Sequence, residues 1–342
     1  MSQLSAEIRE QGAALAARAA TGFDAAAEAA EHIRGLDYLI VAARGSSDNA
    51  ARYAQYLLGK HAGLTVGLAA PWLFSGDFDA PSLAGGGVLA VSQSGSSPDV
   101  VAVLAEARRQ DRPAIAVTGD AGSPLAAAAD VVVPLAVGAE RSVAATKTFT
   151  ASLHAIAQLA LALRPDPAMA AWLDRVPGLV TETAAAQLES RERFDRLDAA
   201  SHLTVVGRGM NFSTAHEVAL KLRELSGTTA EAFSPPDLLH GPIASLSAST
   251  GLWLVSAGGG RQLDPALGDA LRAYAGTSVV VSDEDELLGP ADIAVRLPAG
   301  LPDWVAPFLA VVPGQAAALR LAELRGVDID APHGLSKITL TR

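Results

Sequence analysis

A serine-rich loop running from Ser92 to Ser97 has the composition of an anion-binding site. It follows an apolar run, residues 87–91, that predicts a strand, and it precedes an amphipathic run, residues 100–109, that predicts a helix. Ser97 suits the N-cap and Pro98 the first helical position, so the helix begins at the loop. Backbone N–H groups and the positive end of the helix dipole then converge with several hydroxyls. The pattern favours phosphate binding; an ordinary serine-rich strand-to-helix turn is the alternative.

Acid–base groups occur in two further segments. Glu217, Lys221 and Glu224 fall at i, i+4 and i+7 on one face of a predicted helix, about 90° from its apolar stripe. This spacing favours Glu–Lys pairing, with a salt-bridged surface row as the alternative to a functional site. His240 lies in a loop bounded by glycine and prolines, where general acid–base catalysis is more common than within helices. Two histidines in predicted helices are interpreted as structural: His154 and His216.

Composition restricts the class of protein. The 342 residues contain no cysteine and carry a formal net charge of −11, which excludes disulfides and thiolate metal sites and disfavours nucleic-acid or membrane surfaces. The seven histidines show no ligand spacing, and no dinucleotide-binding or Walker motif follows a strand. Residues 1–12 lack the pattern of a signal peptide, and the apolar runs are too short to cross a bilayer. We therefore expect a cytoplasmic enzyme that uses no metal or other cofactor and binds neither nucleic acid nor membrane.

An internal repeat predicts a duplicated α/β unit. The strand-like run 39–45 has a counterpart at 203–209, and both runs end in Arg-Gly. Three more pairs keep the same or nearly the same offset: Val91-Ser92 with Val255-Ser256, Val117-Thr118 with Val281-Ser282, and Ala129-Asp130 with Ala291-Asp292. Strand-like and helical runs alternate in each half, which favours parallel sheets that bind ligands at the carboxyl ends of their strands.

The two halves differ at the predicted ligand site. The loop equivalent to Ser92–Ser97 is Ser256-Ala257-Gly258-Gly259-Gly260-Arg261, which has lost most of the hydroxyls. Only the first half is therefore expected to bind phosphate, and Ser46 and Ser47 are expected to cap a helix beside the same pocket. Predicted helices over residues 151–163 and 179–197 connect the halves.

The motifs together resemble one family. They occur in this order: Arg44-Gly45-Ser46-Ser47, the Ser92–Ser97 loop, Val143-Ala144-Ala145-Thr146-Lys147, Lys221-Leu222-Arg223-Glu224, Ala230-Glu231-Ala232-Phe233, His240-Gly241-Pro242 and Leu335-Ser336-Lys337. The chain resembles tandem sugar isomerase (SIS) domain proteins, in particular stand-alone glucosamine-6-phosphate deaminases and the isomerase half of glucosamine-6-phosphate synthase. The resemblance implies an α/β fold of two doubly wound parallel-sheet SIS domains, which are flavodoxin-like three-layer sandwiches. They are expected over residues 1–170, with leading helices and the phosphate site, and 190–342, with the catalytic helix, histidine loop and C-terminal tail.

The resemblance also implies roles for individual residues. The 6-phosphate would be held by five residues: Ser47, Ser92, Gln93, Ser94 and Ser97. Val143 and Thr146 would line the sugar site. Glu224 corresponds to the base that moves a proton between C1 and C2, and His240 to the ring-opening histidine that a neighbouring subunit often supplies in a homodimer with shared sites. The active-site lysines correspond to Lys221 and Lys337. One position departs from the family pattern, since Thr229 replaces the usual histidine and leaves ring opening and substrate preference open.

Three functions remain open from the sequence. Glutamine-dependent synthesis needs a cysteine nucleophile in a further domain, which favours breakdown of glucosamine 6-phosphate to fructose 6-phosphate and ammonia. An acetylated amine would instead allow Glu224 to promote loss of the 3-hydroxyl, as in a dehydratase of N-acetylglucosamine 6-phosphate. A sugar-phosphate sensor without turnover is the third possibility, and it is disfavoured because pure binding needs no matched acid and base.

Overall fold

Five apolar runs in the first half of the chain form a parallel sheet in the computed structural model. The strands are β1 (Tyr38–Ala43), β2 (Thr65–Leu68), β3 (Gly86–Ser92), β4 (Ala114–Thr118) and β5 (Val131–Pro134). Their order is β2-β1-β3-β4-β5, and every neighbouring pair is parallel. All residues of β3 and β4 are buried, which explains why these strands are continuous apolar runs rather than alternating ones.

The structure describes residues 2–76, 79–259, 267–269, 273–330, 334 and 337. Contacts between Cα atoms divide the chain into two units. The described residues of the first unit are 11–76, 79–140, 145–177 and 337. Those of the second unit are 2–10, 141–144, 178–259, 267–269, 273–330 and 334.

Helices precede, connect and follow the strands of the first sheet. They are α1 (Gln3–Ala19), α2 (Phe23–Ile33), α3 (Ser46–Leu57), α4 (Trp72–Ser75), α5 (Pro98–Arg109), α6 (Pro124–Ala127), α7 (Lys147–Leu163) and α8 (Pro167–Glu189). A π-helical turn, Leu58–Ala62, extends α3. The first residues of α1 and the later residues of α8 belong to the second unit.

Helix α5 shows how periodicity fixes the packing. Val100, Val103, Leu104 and Ala107 fall at i, i+3, i+4 and i+7, and all four are buried in a cluster with residues of β3 and β4. Burial of each Val or Leu stabilises the unit by about 1.5–3 kcal/mol relative to exposure. The strand predicted over 87–91 and the helix predicted over 100–109 are both confirmed.

The second unit contains a second parallel sheet. Its strands are β6 (His202–Gly207), β7 (Ala230–Phe233), β8 (Thr250–Ser256), β9 (Thr277–Ser282) and β10 (Ile293–Arg296), in the order β10-β9-β8-β6-β7. All four neighbouring pairs are parallel. Read from the other edge, this is the strand order of the first sheet.

The second unit also contains helical segments. They are a 3₁₀ segment (Arg191–Ala199), α9 (Asn211–Ser226), α10 (Pro235–Leu239), a 3₁₀ segment (Pro242–Ser245), α11 (Asp285–Leu288) and α12 (Ala306–Leu324). A Cβ atom on Gly314 of α12 would overlap with the Val218 side chain of α9, so this helix pair needs glycine for its close approach. Two charged residues of α9, Glu217 and Lys221, are buried.

The predicted repeat is visible in the strands and in their hydrogen bonds. Strands β6 and β8 follow β1 and β3 at one common offset in the sequence, and β10 follows β5 at nearly the same offset. Asp130 Oδ2 accepts the Ala114 backbone N–H at 2.9 Å, and Asp292 Oδ2 accepts the Ser278 N–H at the same distance. Two parallel sheets of one topology, with repeated side-chain contacts, therefore confirm the sequence-predicted α/β repeat.

The second connecting helix differs from the prediction at both of its ends. Helix α7 contains the predicted residues 151–163, but α8 begins at Pro167 and ends at Glu189, whereas a helix over 179–197 was predicted. Asp166 accepts the N–H groups of Ala168 and Met169 and thereby caps α8, and proline is tolerated in a first turn because its missing N–H is not needed there. None of the helices in the described ranges combines the length and apolar character needed to cross a bilayer.

Candidate functional site

The first sheet places two polar loops side by side. Strand β1 pairs with β2 on one side and with β3 on the other, with Ala43 opposite Val91. The connections that leave β1 and β3 therefore run to opposite sides, which makes the space between these two strands the switch point of the sheet. Open α/β sheets of this strand order bind ligands there. Ser47 follows β1, and the Ser92–Ser97 loop follows β3, so the predicted phosphate-binding residues of both loops lie at this switch point.

The Ser92–Ser97 loop is held in a defined shape. Ser92 Oγ accepts the Gly95 N–H at 3.2 Å, and Ser94 Oγ accepts the Ser96 N–H at 3.3 Å. Gly95 has a positive φ of 61°, and a Cβ atom there would overlap with Ser123 Oγ, so this position requires glycine. The loop is consequently a preorganised turn.

The predicted capping roles of the serines are wrong in detail. Gly45, with φ of 55°, occupies the N-cap of α3, while Ser46 and Ser47 lie in its first turn and make no capping bond. Ser97 occupies the N-cap of α5 and Pro98 the first helical position, as predicted, but the Ser97 side chain makes no capping bond. Among the described residues, the hydroxyls of Ser47 and Ser97 have no hydrogen-bonding partner and can serve a ligand.

An ion pair connects the two loops. Arg44, at the end of β1, directs Nε and Nη2 to Asp99 Oδ2, each at 2.7 Å. Asp99 lies in the first turn of α5 and is 3% exposed, whereas about half of the Arg44 side chain is exposed. A charge-assisted bond to a buried carboxylate is stronger than a neutral one, so the pair fixes the separation of the loops.

The second unit has a different loop at the equivalent switch point. The N–H of Gly258, after β8, donates to Asp283 Oδ1 at 3.1 Å, and a Cβ at Gly258 would lie 2.7 Å from Asp303 Cα. The Asp283 carboxylate accepts the Gly258 N–H group, so this N–H group is not available to bind an anion. Residues 260 and 261 of this loop lie outside the described residues.

Thr146 and Lys337 contact one buried carboxylate that the sequence analysis missed. Glu140 Oε2 accepts Lys337 Nζ at 2.9 Å, and Glu140 Oε1 accepts the Thr146 N–H at 2.9 Å and its hydroxyl at 3.3 Å. Thr146 itself is completely buried. Of the motif at residues 335–337, only Lys337 is among the described residues.

Two of the three residues in the charged row on α9 are buried rather than solvated. Glu217 and Lys221 side chains are 0% and 1% exposed, and Glu224 is 25% exposed. Lys221 Nζ lies 3.5 Å from Glu217 Oε1 and 2.5 Å from Glu224 Oε2. Glu224 Oε1 has no hydrogen-bonding or ionic partner within the described ranges, so one carboxylate oxygen is held and the other is available.

The remaining predicted residues of the second unit lie in loops. His240 is exposed and directly follows α10, and Gly241 has a φ of 145° that favours glycine. Val143 is half-buried, in the loop before α7. Thr229 is exposed and precedes β7. Their assignment to a sugar site is a prediction from the family pattern.

His154 lies in a buried polar contact of the first unit. It is 1% exposed, and its Nδ1 lies 3.1 Å from Arg18 Nη1. Burial, followed by the charge of Arg18, lowers the pKa of His154 from 6.5 to about 3. This environment agrees with the structural role predicted for His154. Within the described part of the chain, no group of three or more His, Asp or Glu residues is arranged to hold a metal ion.

The fold and this site define an α/β protein with flavodoxin-like strand order and a hydroxyl-rich loop at the switch point of its first sheet. Residues 32–162, which contain that sheet, match the family model described as SIS domain. The chain therefore contains an SIS domain, over residues 32–162.

Similarity extends beyond the matched domain. The chain is 31% identical, over 323 residues, to the isomerizing glutamine–fructose-6-phosphate aminotransferase of Thermococcus kodakarensis; the match covers 90% of this chain and 53% of that protein. The chain thus spans about half the length of that relative. The solved C-terminal domain of glucosamine-fructose-6-phosphate aminotransferase from Francisella tularensis is 25% identical, with a TM-score of 0.86 over 97% of this chain and 98% of that one. Glucosamine-6-phosphate deaminase from Thermotoga maritima shares the fold at 22% identity, with a TM-score of 0.81 over 99% and 100%.

Proposed function

We propose that this chain is an amino-sugar 6-phosphate deaminase and isomerase that converts glucosamine 6-phosphate and water to fructose 6-phosphate and ammonia. The observation that carries the proposal is the buried α9 row, in which Lys221 holds one oxygen of Glu224 and leaves the other available. The names of the relatives support an enzyme acting on sugar phosphates. A catalytic base held by one oxygen on a packed helix is suited to proton transfer at a fixed carbon.

The 6-phosphate is assigned to the switch-point loops of the first unit. Ser47 and Ser97 offer unused hydroxyls, and the first turn of α5 adds the positive end of a helix dipole. Ser92, Gln93 and Ser94 complete the proposed set. Arg44 contributes by fixing the loops, since its charge is already matched by Asp99.

The proposed reaction moves one proton and then breaks one C–N bond. His240 assists ring opening, which produces the C1 aldehyde. Glu224 removes the proton from C2, the electron pair forms an enolamine, and protonation at C1 gives a C2 imine. Water adds to that imine, and ammonia leaves to give the ketose phosphate. Lys221 and Lys337 supply positive charge to the oxygens that become negative during these steps.

The lack of cysteine bears on where ammonia comes from and where it goes. None of the 342 residues is cysteine, so these residues have no thiol that could release ammonia from glutamine. In the proposed reaction, the ammonia that this chain releases would pass directly into solvent. The alternative elimination uses the same Glu224 and is distinguished by its product.

We further propose that the second unit is a second SIS domain and that two copies of the chain share their sites. The common strand order and the shared sequence offset between corresponding strands support the tandem domains, expected over residues 1–170 and 190–342. The homodimer is a prediction from the family resemblance.

The reaction is tested by supplying two substrates. We expect glucosamine 6-phosphate to yield equal amounts of ammonia and fructose 6-phosphate. N-acetylglucosamine 6-phosphate should yield neither. An ultraviolet-absorbing product from the acetylated sugar, without ammonia, would indicate the dehydratase instead. Tight binding of either sugar with no product would indicate a sensor.

The phosphate assignment predicts a selective loss of binding. Ser94→Ala and Ser97→Ala should each weaken binding of a 6-phosphate sugar about 10- to 100-fold, because a hydrogen bond to a charged group contributes about 1.5–3 kcal/mol. Calorimetry should show little change for the unphosphorylated sugar. Ser82→Ala, at an exposed serine outside the loop, is the matched control. Equal losses for both ligands would contradict the assignment.

A further inference from the structure

Glu140 lies in the loop after β5, and its carboxylate is completely buried. Oε1 accepts the N–H groups of Thr146 and Thr148, at 2.9 and 3.1 Å, and the Thr146 hydroxyl at 3.3 Å. Oε2 accepts the Thr148 hydroxyl at 2.6 Å and Lys337 Nζ at 2.9 Å. Both oxygens are therefore fully engaged, and neither is left to contact a substrate.

This carboxylate replaces the missing cap of α7. Thr146 occupies the N-cap position but makes no side-chain capping bond, and the remote Glu140 accepts two N–H groups of that helix end instead. Its negative charge also faces the positive end of the helix dipole. Burial alone would raise the pKa of Glu140, but the Lys337 ammonium and the hydrogen bonds from Thr148 and Thr146 bring that pKa below its ordinary value. Glu140 is thus a stable buried anion.

We propose that Glu140 is a positioning residue that fixes the Lys337 ammonium and the Thr146 hydroxyl for catalysis. This role rests on the proposed function, which assigns both partners to the sugar site. A lysine side chain has four rotatable bonds, so an ammonium without an anchor samples many positions. One anion bonded to Lys337 and to the start of α7 ties both groups to the same rigid point.

Trypsin digestion measures how firmly the Lys337 side chain is held, and it needs no sugar phosphate. Trypsin must bind the lysine side chain to cleave after it, and the Glu140 ion pair competes with that binding. Glu140→Gln keeps the size of the side chain but removes its charge. We expect cleavage after Lys337, measured as loss of residues 338–342 by intact-mass spectrometry, to become about tenfold faster. Glu106→Gln, which makes the same change at the Arg109 pair on α5, should leave this rate unchanged.

Turnover then separates positioning from a purely structural role. In Glu140→Gln we expect kcat to fall about 10- to 100-fold while KM for the sugar phosphate changes less than about twofold, because a misplaced group affects the reacting centre more than phosphate binding. Glu140→Asp keeps the charge and shortens its reach, so its cleavage rate and kcat should lie between those of Glu140→Gln and wild type. If Glu140→Gln does not fold, the comparison of Glu140→Asp with wild type decides the proposal.

The two readouts can fail separately. Unchanged cleavage after Lys337 in both variants would overturn the anchoring of Lys337. Faster cleavage with unchanged kcat would overturn the positioning role. If wild type turns over neither amino sugar but Glu140→Gln still accelerates cleavage, the anchor stands and the proposed function fails, which also removes the catalytic part of this inference.

Discussion

Replacing Glu224 with Gln is expected to lower kcat on glucosamine 6-phosphate by about 100-fold or more. The amide keeps the size and much of the hydrogen bonding of the carboxylate, but it cannot accept a proton from C2. Sugar-phosphate affinity should remain close to wild type, because the proposed phosphate contacts lie on the β1 and β3 loops. Single-turnover kinetics and calorimetry measure the two effects independently.

The matched control for this variant is Glu182→Gln. Glu182 is an exposed helical glutamate in the same unit, so it tests the effect of losing one negative charge without touching the α9 row. We expect its kcat to equal that of wild type. Wild-type turnover in Glu224→Gln would show that the carboxylate only completes a salt-bridged helix face.

Glu224→Gln should affect deamination and elimination equally, since both begin with removal of the C2 proton. The variant therefore tests the base, whereas the products of the wild-type enzyme identify the reaction. His240 has a different expected signature. If it opens the ring, His240→Ala should slow reaction of the closed sugar far more than reaction of an open-chain analogue.

Local sequence signals predicted the features that depend on local packing. The nearly constant offset between the two halves located corresponding strands because each strand is a short apolar run followed by a turn. Pro98 located the start of α5 because proline is tolerated where a helix has no N–H partner. The i, i+4 order of Glu217 and Lys221 on α9 predicted their pairing, and the structure adds a second ion pair between Lys221 and Glu224.

The sequence could not predict features that depend on tertiary burial. Glu140 is an isolated acid in a loop, and its partners lie 6, 8 and 197 residues away, so no periodicity marks it. The cap of α3 was missed for another reason. Serines are common N-caps, but the φ of 55° at that position suits Gly45, which shifts Ser46 and Ser47 into the helix.

The burial of the α9 row also carries a large expected effect on stability. Lys221→Met keeps the length of the side chain and removes its charge, which leaves the completely buried Glu217 without the ammonium 3.5 Å away. We expect the free energy of unfolding to fall by about 3–5 kcal/mol, because removing one partner of a buried ion pair is strongly destabilising. Urea denaturation at neutral pH measures this loss.

The decisive comparison adds Glu217→Gln to Lys221→Met. The double variant has no buried carboxylate at position 217, so it should recover most of the stability that the single variant loses, as replacement of a whole buried pair is often nearly neutral. A purely steric role for Lys221 would give the same loss in both variants and would contradict this account. Recovery of stability without recovery of turnover would further show that Lys221 serves Glu224 in catalysis as well as Glu217 in folding.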